Sequence, residues 1–413
     1  MTSTATSAEP THAATQITTH AKTDVLTPSL AELHEISAGM QTFQVSVQPS
    51  GRAFSVNEGE AMLAAGIRQG VGLPYGCKDG ACGSCKCKKI SGVVMHGPHQ
   101  SKALSDEEEA SGFVLTCCGV PYSDVVLESR QVTEAGAFPI KKMPSRVTLL
   151  EKKSHDVMLM KLQLPANDGF AYRAGQYVEF ILRDGTRRSY SMATAPHPQP
   201  QPQTFPPAQP GAVAAPGAAA INIPAPAAPG PGLELHIRHM PGGKFTDHVF
   251  GVMKEKEIVR IEGPFGTFFL REDSAKPMIL LASGTGFAPI KAVIEDMQQK
   301  GIDRPATLYW GGRRPDDLYL DDWVKAKLAE MPNLSYVPVI SNAVPEDGWR
   351  GRTGFVHAAV LQDFPDLSGY QVYACGAPIV IDSAKTAYTT EGGLPEDEFY
   401  ADSFITEADK ARA

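Results

Sequence analysis

The chain has 413 residues, of which 42% are hydrophobic and 20% are charged, with a formal net charge of -8. This length predicts two to four soluble domains, and the acidic balance argues against a nucleic acid partner, because a phosphate backbone needs a basic surface. Four of the seven cysteines are clustered in one stretch, which favours a metal site in a reducing, cytoplasmic compartment over a disulfide framework.

The N-terminal part of the chain predicts a tail followed by a small domain. Residues 1–41 are rich in Ser, Thr and Ala without an apolar core, which predicts disorder and not a secretory signal. No run approaches the roughly 18 apolar residues that cross a membrane. Residues 42–132 then predict an α+β domain with a hairpin, a short helix, a cysteine loop, a helical turn capped by Ser105 and a last strand.

The cysteine loop is the stretch "GCKDGACGSCKCKK". A four-cysteine zinc site, two disulfides, or three ligands of a larger centre plus one other thiol all agree with the clustering. The spacing Cys77-x4-Cys82-x2-Cys85 is that of plant-type 2Fe–2S ferredoxins, whereas a zinc ribbon usually has two C-x2-C pairs and this chain has one. Gly80 and Gly83 let backbone N–H groups turn towards sulfur.

The loop and its surroundings, residues 42–130, resemble the plant-type ferredoxin family. That resemblance places the fourth ligand in "LTC", at Cys117, while the adjacent Cys118 competes for the role on spacing alone. Cys87 lies too far along the loop to be a ligand, and we expect it to be a small buried thiol. The resemblance therefore implies a 2Fe–2S cluster held by Cys77, Cys82, Cys85 and Cys117.

Residues 140–272 predict an antiparallel barrel. Strands of period two, such as "QYVEFILRDGTRRSYSMA" and "GLELHIRHM", follow one another with turns between them, and a barrel closes such a series. The Pro/Ala-rich stretch 197–232 interrupts the series and cannot build a core, so we expect a flexible or polyproline-like surface loop.

Two motifs in the barrel segment predict a flavin site. A flavin needs a cation for its phosphates, an aromatic face and a hydroxyl near N5, and Arg188, Tyr190 and Ser191 supply these from one strand. An exposed edge strand is the alternative for this motif alone. The second motif, "PGGKFTDHVFG", opens a short helix whose free N–H groups can bind a pyrophosphate, with the Thr246 hydroxyl adding to them. Its residues are Gly243, Lys244, Phe245 and Thr246.

Residues 273–413 alternate strands and helices, which predicts a parallel, doubly wound sheet. In "LLASGTGFAPIKAV" a strand leads through Gly284, Thr285 and Gly286 into a helix whose N-terminus can face a pyrophosphate. Arg313 and Arg314 follow the next strand, where a 2′-phosphate would be recognised. They either favour NADPH or form a solvated turn.

Together the barrel and sheet motifs resemble the ferredoxin–NADP reductase superfamily. The resemblance implies FAD in the barrel and a nicotinamide dinucleotide at the "GTG" turn. It implies that Cys375 and Gly376 lie near the nicotinamide, although a buried core thiol is the alternative for Cys375. It also implies that Phe404, or else Tyr400, covers the flavin ring. Members with this domain order mostly take NADH, so we expect NADH. The catalytic candidates are thus Ser191, Cys375 and Phe404.

The order of the three predicted domains is similar to that of oxygenase reductase components and, more closely, of CDP-6-deoxy-glucoseen reductases. The phrases "RSYSMATAPH", "ELHIRHMPGGKFTDHVF", "YWGGRRPDDLYL" and "FYADSF" carry this likeness. It implies an oxidoreductase that passes electrons from NAD(P)H through FAD and a 2Fe–2S cluster to a dehydrase or oxygenase component. The alternatives are a flavin reductase whose cluster is a redox sensor and a zinc-binding scaffold.

Overall fold

A computed structural model describes residues 41–134, 138–166, 169–196 and 232–406. The predicted N-terminal tail, except for Gln41, and the Pro/Ala-rich stretch, except for Gly232, lie outside the described residues. From Thr42 onward the described residues form one compact unit, with one sheet of five strands and two sheets of six strands. Within these ranges no helix is long and apolar enough to cross a membrane.

The first sheet carries the cysteine loop. The elements are β1 (Thr42–Gln48), β2 (Arg52–Asn57), α1 (Met62–Arg68), β3 (Val71–Gly72), β4 (Lys86–Ser91), β5 (Val94–His96), α2 (Asp106–Ala110), β6 (Phe113–Leu115), β7 (Gly119–Pro121), β8 (Val125–Glu128) and β9 (Thr133–Glu134). Five strands lie in the order β2-β1-β8-β4-β6. The predicted N-cap is confirmed, because the Ser105 hydroxyl accepts from the Glu108 N–H in a capping box.

The second sheet is the antiparallel barrel. Its elements are β10 (Lys141–Lys152), β11 (Val157–Gln163), β12 (Tyr177–Ile181), β13 (Arg187–Ser191), β14 (Gly232–Arg238), α3 (Lys244–Gly251) and β15 (Ile258–Phe265). The strand order is β13-β12-β15-β10-β11-β14. A bridge between Met192 and Leu235 joins the two edge strands, so the sheet closes on itself and leaves no long free edge.

The third sheet is parallel, with helices packed on both faces. Its elements are β16 (Met278–Ser283), α4 (Phe287–Lys300), β17 (Ala306–Gly312), α5 (Asp321–Glu330), β18 (Leu334–Ile340), β19 (Arg352–Thr353), α6 (Val356–Asp363), β20 (Gln371–Gly376), α7 (Pro378–Thr390) and β21 (Phe399–Ser403). The order β19-β18-β17-β16-β20-β21 reverses direction at β16. Ligands of doubly wound sheets bind beyond the carboxyl ends of the strands at such a reversal, and here "GTG" follows β16.

The three sheets have the predicted classes, namely a small α+β sheet, an antiparallel barrel and a doubly wound parallel sheet. Each has its own buried core. The exact residue boundaries of the domains given in the sequence analysis stay predictions.

Candidate functional site

The four predicted ligand cysteines lie together. The Cys77 and Cys82 backbone N–H groups each donate to the other residue's sulfur, at 3.4 and 3.3 Å. The Cys85 thiol contacts the Cys117 sulfur, and this hydrogen bond raises the pKa of Cys85 well above its usual value. Thr116 N donates to Cys85 O at 3.2 Å, which holds the "LTC" segment against the loop. The fold thus joins residues that are about thirty positions apart.

The backbone of the loop suits an anionic iron–sulfur cluster. Gly80 and Gly83 have φ angles of 76° and 75°, which side chains rarely adopt. A Cβ on Gly80 would also lie 2.9 Å from the Cβ of His99. Besides the N–H groups already described, Ser84 N lies 3.4 Å from Cys82 Sγ. Backbone donors aimed at sulfur favour the thiolate form, so four sulfurs in this cradle fit a 2Fe–2S cluster.

Cys117 and Cys118 differ in their contacts. Cys117 Sγ contacts the thiols of both Cys118 and Cys85 and accepts the Gly80 backbone N–H, and these hydrogen bonds lower its pKa to about 4. The Cys118 thiol donates to the Cys117 sulfur, and this hydrogen bond raises its pKa. This geometry favours Cys117 as the fourth ligand, which stays a prediction.

Cys87 lies on β4. It is 3% exposed in the core of the first sheet, and burial raises its pKa to about 12. The structure therefore confirms that Cys87 is a buried thiol, as expected.

The two flavin motifs meet in the barrel through aromatic rings. Tyr190 on β13 lies 5.4 Å, centroid to centroid, from Phe245 on α3, and Phe245 lies 4.4 Å from Phe180. Gly243 precedes α3, and a Cβ there would lie 2.8 Å from Met240 O. The strand that carries Tyr190 and the helix that follows the glycine turn thus pack against each other, as a shared FAD site requires.

The polar members of the flavin motifs already have contacts within the protein. Arg188 donates to Arg187 O at 2.7 Å, and Lys244 forms an exposed ion pair with Asp184 at 2.6 Å. Thr246 donates to Met240 O at 2.9 Å. In this structure the Thr246 hydroxyl therefore stabilises the turn. Its predicted contact with a phosphate stays a prediction.

The predicted nicotinamide motifs interlock at the carboxyl ends of the third sheet. A Cβ on Gly286 would lie 2.1 Å from Cys375 O, and a Cβ on Gly376 would lie 2.4 Å from Ser283 O. Only glycine fits at either position. Beside them lies a cavity of about 420 Å³, whose lining includes Ser283, Gly284, Thr285, Gly311, Arg313 and Ser341. Its position suits a dinucleotide.

Phe404 and Cys375 lie beside this glycine crossing. Phe404 N donates to Gly376 O at 2.8 Å, and its half-buried ring packs against the core. Cys375 is fully buried, and burial raises the pKa of its thiol. The alternative residue, Tyr400, stacks on Tyr373 with centroids 4.9 Å apart and is 8% exposed. The ring of Phe404 is thus the more available one to cover a flavin.

One residue that sequence reasoning missed, Asp402, lies where segments of all three sheets meet. Ser191 Oγ donates to Asp402 Oδ2 at 3.2 Å, and Cys375 is the neighbour of Asp402 in the sheet. A Cβ on Gly76 would lie 3.7 Å from Asp402 Oδ1. Burial raises the pKa of Asp402 to about 7. In the sequence, the signal that could have identified Asp402 is its carboxylate within the apolar phrase "FYADSF".

A second missed residue is Arg238, at the end of β14. Its Nε donates to Asp156 Oδ2 at 2.8 Å, and both residues line the cavity. A Cβ on Gly284 would lie 3.1 Å from Arg238 Nη1. The guanidinium group therefore lies against the "GTG" turn, where it can contact a pyrophosphate. In the sequence it is only one more polar residue at a strand end.

The cysteine loop docks directly on the barrel beside Ser191. Tyr177 is the partner of Ser191 in the sheet, and its hydroxyl donates to Gly76 O at 2.8 Å. Lys78 Nζ lies 2.6 Å from Glu179 Oε1 and 3.6 Å from the centroid of the Phe265 ring. The Tyr177 side chain thus connects β12, the neighbour of the candidate flavin strand, to the residue before the first candidate cluster ligand.

Comparison with known proteins agrees with this arrangement. Residues 45–122 match the 2Fe-2S iron-sulfur cluster binding domain, and residues 280–386 match the oxidoreductase NAD-binding domain. The chain is 36% identical over 367 residues to the CDP-6-deoxy-L-threo-D-glycero-4-hexulose-3-dehydrase reductase of Yersinia pseudotuberculosis, covering 88% of this chain and 99% of that protein.

Two further relatives have other partners. The chain is 32% identical to reductase component 2 of terephthalate 1,2-dioxygenase from Comamonas sp, covering 88% of this chain and 97% of that protein. Among solved structures, the cytochrome P450 reductase GcoB of Amycolatopsis superposes with a TM-score of 0.65 at 30% identity, covering 88% of this chain and 99% of that chain.

Proposed function

Because the chain belongs to the family of NAD(P)H-dependent iron–sulfur flavoprotein reductases of the ferredoxin–NADP reductase superfamily, we propose that its electron acceptor is a dehydrase or oxygenase component. The chain itself is an oxidoreductase that passes electrons from NAD(P)H through FAD and a 2Fe–2S cluster to a partner protein. The relatives named above are reductase components, which supports a protein acceptor over a small molecule.

Each candidate residue of the flavin site has a separate role. Bound FAD would supply the chemistry of accepting a hydride from the nicotinamide and of releasing electrons singly to the cluster. Arg188 and the turn before α3 would hold the phosphates of FAD, and Tyr190 would supply an aromatic face for its ring. Ser191 would orient the reactive edge, and Asp402, which accepts a hydrogen bond from the Ser191 hydroxyl, can take up a proton near neutral pH. Phe404 would cover the ring of a bound flavin and exclude water from it.

The observation that carries the proposal is the Tyr177–Gly76 hydrogen bond of 2.8 Å. It places the cysteine loop against the strand that pairs with Ser191. Electrons that leave a flavin at this position have the cluster as their nearest exit. Because the loop is partly exposed, a partner protein can approach it.

The acceptor is tested with purified components. The holoprotein is mixed with NADH and either a CDP-6-deoxy-hexulose-3-dehydrase or a terephthalate dioxygenase, and NADH consumption is followed. We expect one of these acceptors to increase the rate, and the Cys117→Ser variant to lose the increase. If neither acceptor changes the rate, and if the wild type and the Cys117→Ser variant both reduce free flavin rapidly, the result would instead support the alternative function of a flavin reductase.

The coenzyme preference gives a separate prediction. Arg314 Nη2 lies 2.5 Å from Asp347 Oδ1, so its charge is largely neutralised, whereas Arg313 lines the dinucleotide cavity. We expect NADH to be the better substrate. We also expect Arg313→Ala to lower kcat/KM for NADPH by about tenfold, the value of one lost charge-assisted hydrogen bond, with kcat/KM for NADH within about twofold. Equal losses for both coenzymes would contradict this role.

A further inference from the structure

A buried cluster of charged residues lies outside the sites described so far. Lys291 on α4 is 4% exposed, and its Nζ lies 2.6 Å from Glu295 Oε1 and 3.1 Å from Glu234 Oε1. It also donates to Ala193 O at 3.0 Å. A buried ammonium group is costly unless it is fully paired. The protein therefore supplies three oxygen partners for Lys291.

A second half of the cluster adds a histidine and a tyrosine. His236 Nε2 lies 3.0 Å from Glu234 Oε1, and His236 Nδ1 lies 2.8 Å from the Tyr319 hydroxyl. Although burial alone would raise it, the hydrogen bond from His236 and the charge of Lys291 lower the pKa of Glu234 to about 2. A carboxylate can only accept, so His236 Nε2–H donates to it.

This cluster joins the barrel to the third sheet. Ala193, Glu234 and His236 belong to the barrel, whereas Lys291 lies on α4 and Tyr319 follows β17. A further hydrogen bond joins the segment that follows β13 to α4, since Ala195 N donates to Glu295 Oε2 at 3.0 Å. We name the set Lys291, Glu234, His236, Tyr319 and Glu295 the seam cluster.

The seam cluster is attached to both halves of the reacting site. Ala193 lies two residues after Ser191, the last residue of β13, which carries the flavin-side motif. Lys291 lies on the helix that begins directly after the Gly284–Gly286 turn. A rigid link between these two points sets the distance between a flavin and a nicotinamide. Hydride transfer is sensitive to that distance, since a misplacement of about 1 Å can cost a hundredfold in rate.

We propose that Lys291 is a positioning residue for hydride transfer, acting through the seam cluster to fix the barrel against the nucleotide-binding sheet. The inference rests on the proposed flavin and nicotinamide sites and goes beyond them, because no member of the seam cluster is among their candidate residues.

The test uses the holoprotein with FAD and iron content measured first. Lys291→Met keeps the aliphatic chain and removes the charge. Anaerobic stopped-flow mixing with saturating NADH is expected to show flavin reduction slowed by about 10- to 100-fold, with the NADH concentration for half-maximal rate within about threefold. The long-wavelength absorbance of the complex between the reduced protein and NAD⁺ should weaken as well, which reports stacking and not turnover.

A matched control lies on the same helix. Lys300 pairs with Asp296, also four residues away, at 2.7 Å, but its side chain is 42% exposed, and Lys300→Met should leave both readouts unchanged. The double variant Lys291→Met, Glu234→Gln also removes the charge of the more buried of the two carboxylates that pair with Lys291. It should regain thermal stability while flavin reduction stays slow, which separates positioning from folding.

Several outcomes would overturn the inference. The inference is rejected if Lys291→Met shows the wild-type rate of flavin reduction and the wild-type long-wavelength absorbance. It is also rejected if Lys291→Met reduces flavin slowly but the double variant recovers the full rate. If Lys291→Met does not fold, Tyr319→Phe removes one hydroxyl from the seam cluster and should slow flavin reduction by about three- to tenfold, and no slowing there would also reject the role. A wild-type protein that NADH does not reduce would instead contradict the proposed function itself.

Discussion

Cys117→Ser is expected to remove the 2Fe–2S cluster and leave FAD bound. The Cys117 sulfur contacts the Cys85 thiol and accepts the Gly80 N–H, and a serine oxygen is a poorer ligand for iron than a thiolate. Iron should fall from about two atoms per chain towards zero. NADH-dependent reduction of cytochrome c should be lost with the cluster, whereas reduction of ferricyanide, which can take electrons directly from a flavin, should persist.

The controls for this prediction are the neighbouring thiols. Cys118→Ser should keep iron and cytochrome c reduction, because the Cys118 thiol donates to the Cys117 sulfur, whereas Cys117 also contacts Cys85 in the loop. Cys87→Ser should keep the cluster at some cost in stability, since Cys87 is a core residue at 3% exposure. Equal iron loss in the Cys117 and Cys118 variants, or loss only in Cys118→Ser, would disprove the ligand assignment.

Gly286→Ala is expected to prevent the third sheet from folding correctly. A Cβ there would lie 2.1 Å from Cys375 O and 2.7 Å from Gly376 Cα, and both are backbone atoms that cannot turn aside. A backbone clash of this kind belongs to the mutations that cost more than about 4 kcal/mol. Thermal unfolding followed by circular dichroism should show a large fall in melting temperature, and NADH should no longer reduce the flavin.

Gly369→Ala is the matched control, because no atom lies within 4 Å of a Cβ added at Gly369. It should change the melting temperature little. A Gly286→Ala variant that unfolds at the wild-type temperature and still takes electrons from NADH would show that the "GTG" and "CG" segments are not locked together as described.

The local parts of the site could be predicted from the sequence. The cysteine spacing predicts the loop, and period-two strands followed by strand–helix alternation predict the barrel and the parallel sheet. Gly80 and Gly286 are also informative in the sequence, because their backbone positions exclude a side chain. These signals are short-range, so one sequence is enough to detect them.

The long-range parts could not be predicted. Ser191 and Asp402 are 211 residues apart in the chain, and Lys291 meets Ala193 across 98 residues. Neither pair has a spacing rule. The Thr246 hydroxyl shows a different difficulty, because a helix-start hydroxyl serves a ligand and a turn equally well in sequence, and here it bonds to Met240 O. Only the packed structure distinguishes such roles.

The central claim is that electrons pass from the flavin to the cluster within one chain, across the contact between the barrel and the cysteine loop. It is tested by mixing the holoprotein with NADH without oxygen, freezing samples at successive times and recording the electron paramagnetic resonance signal of the reduced cluster. We expect this signal to appear at a rate that does not change when the protein is diluted tenfold. A rate that falls in proportion to dilution, or a cluster that stays oxidised while the flavin is reduced, would contradict the account.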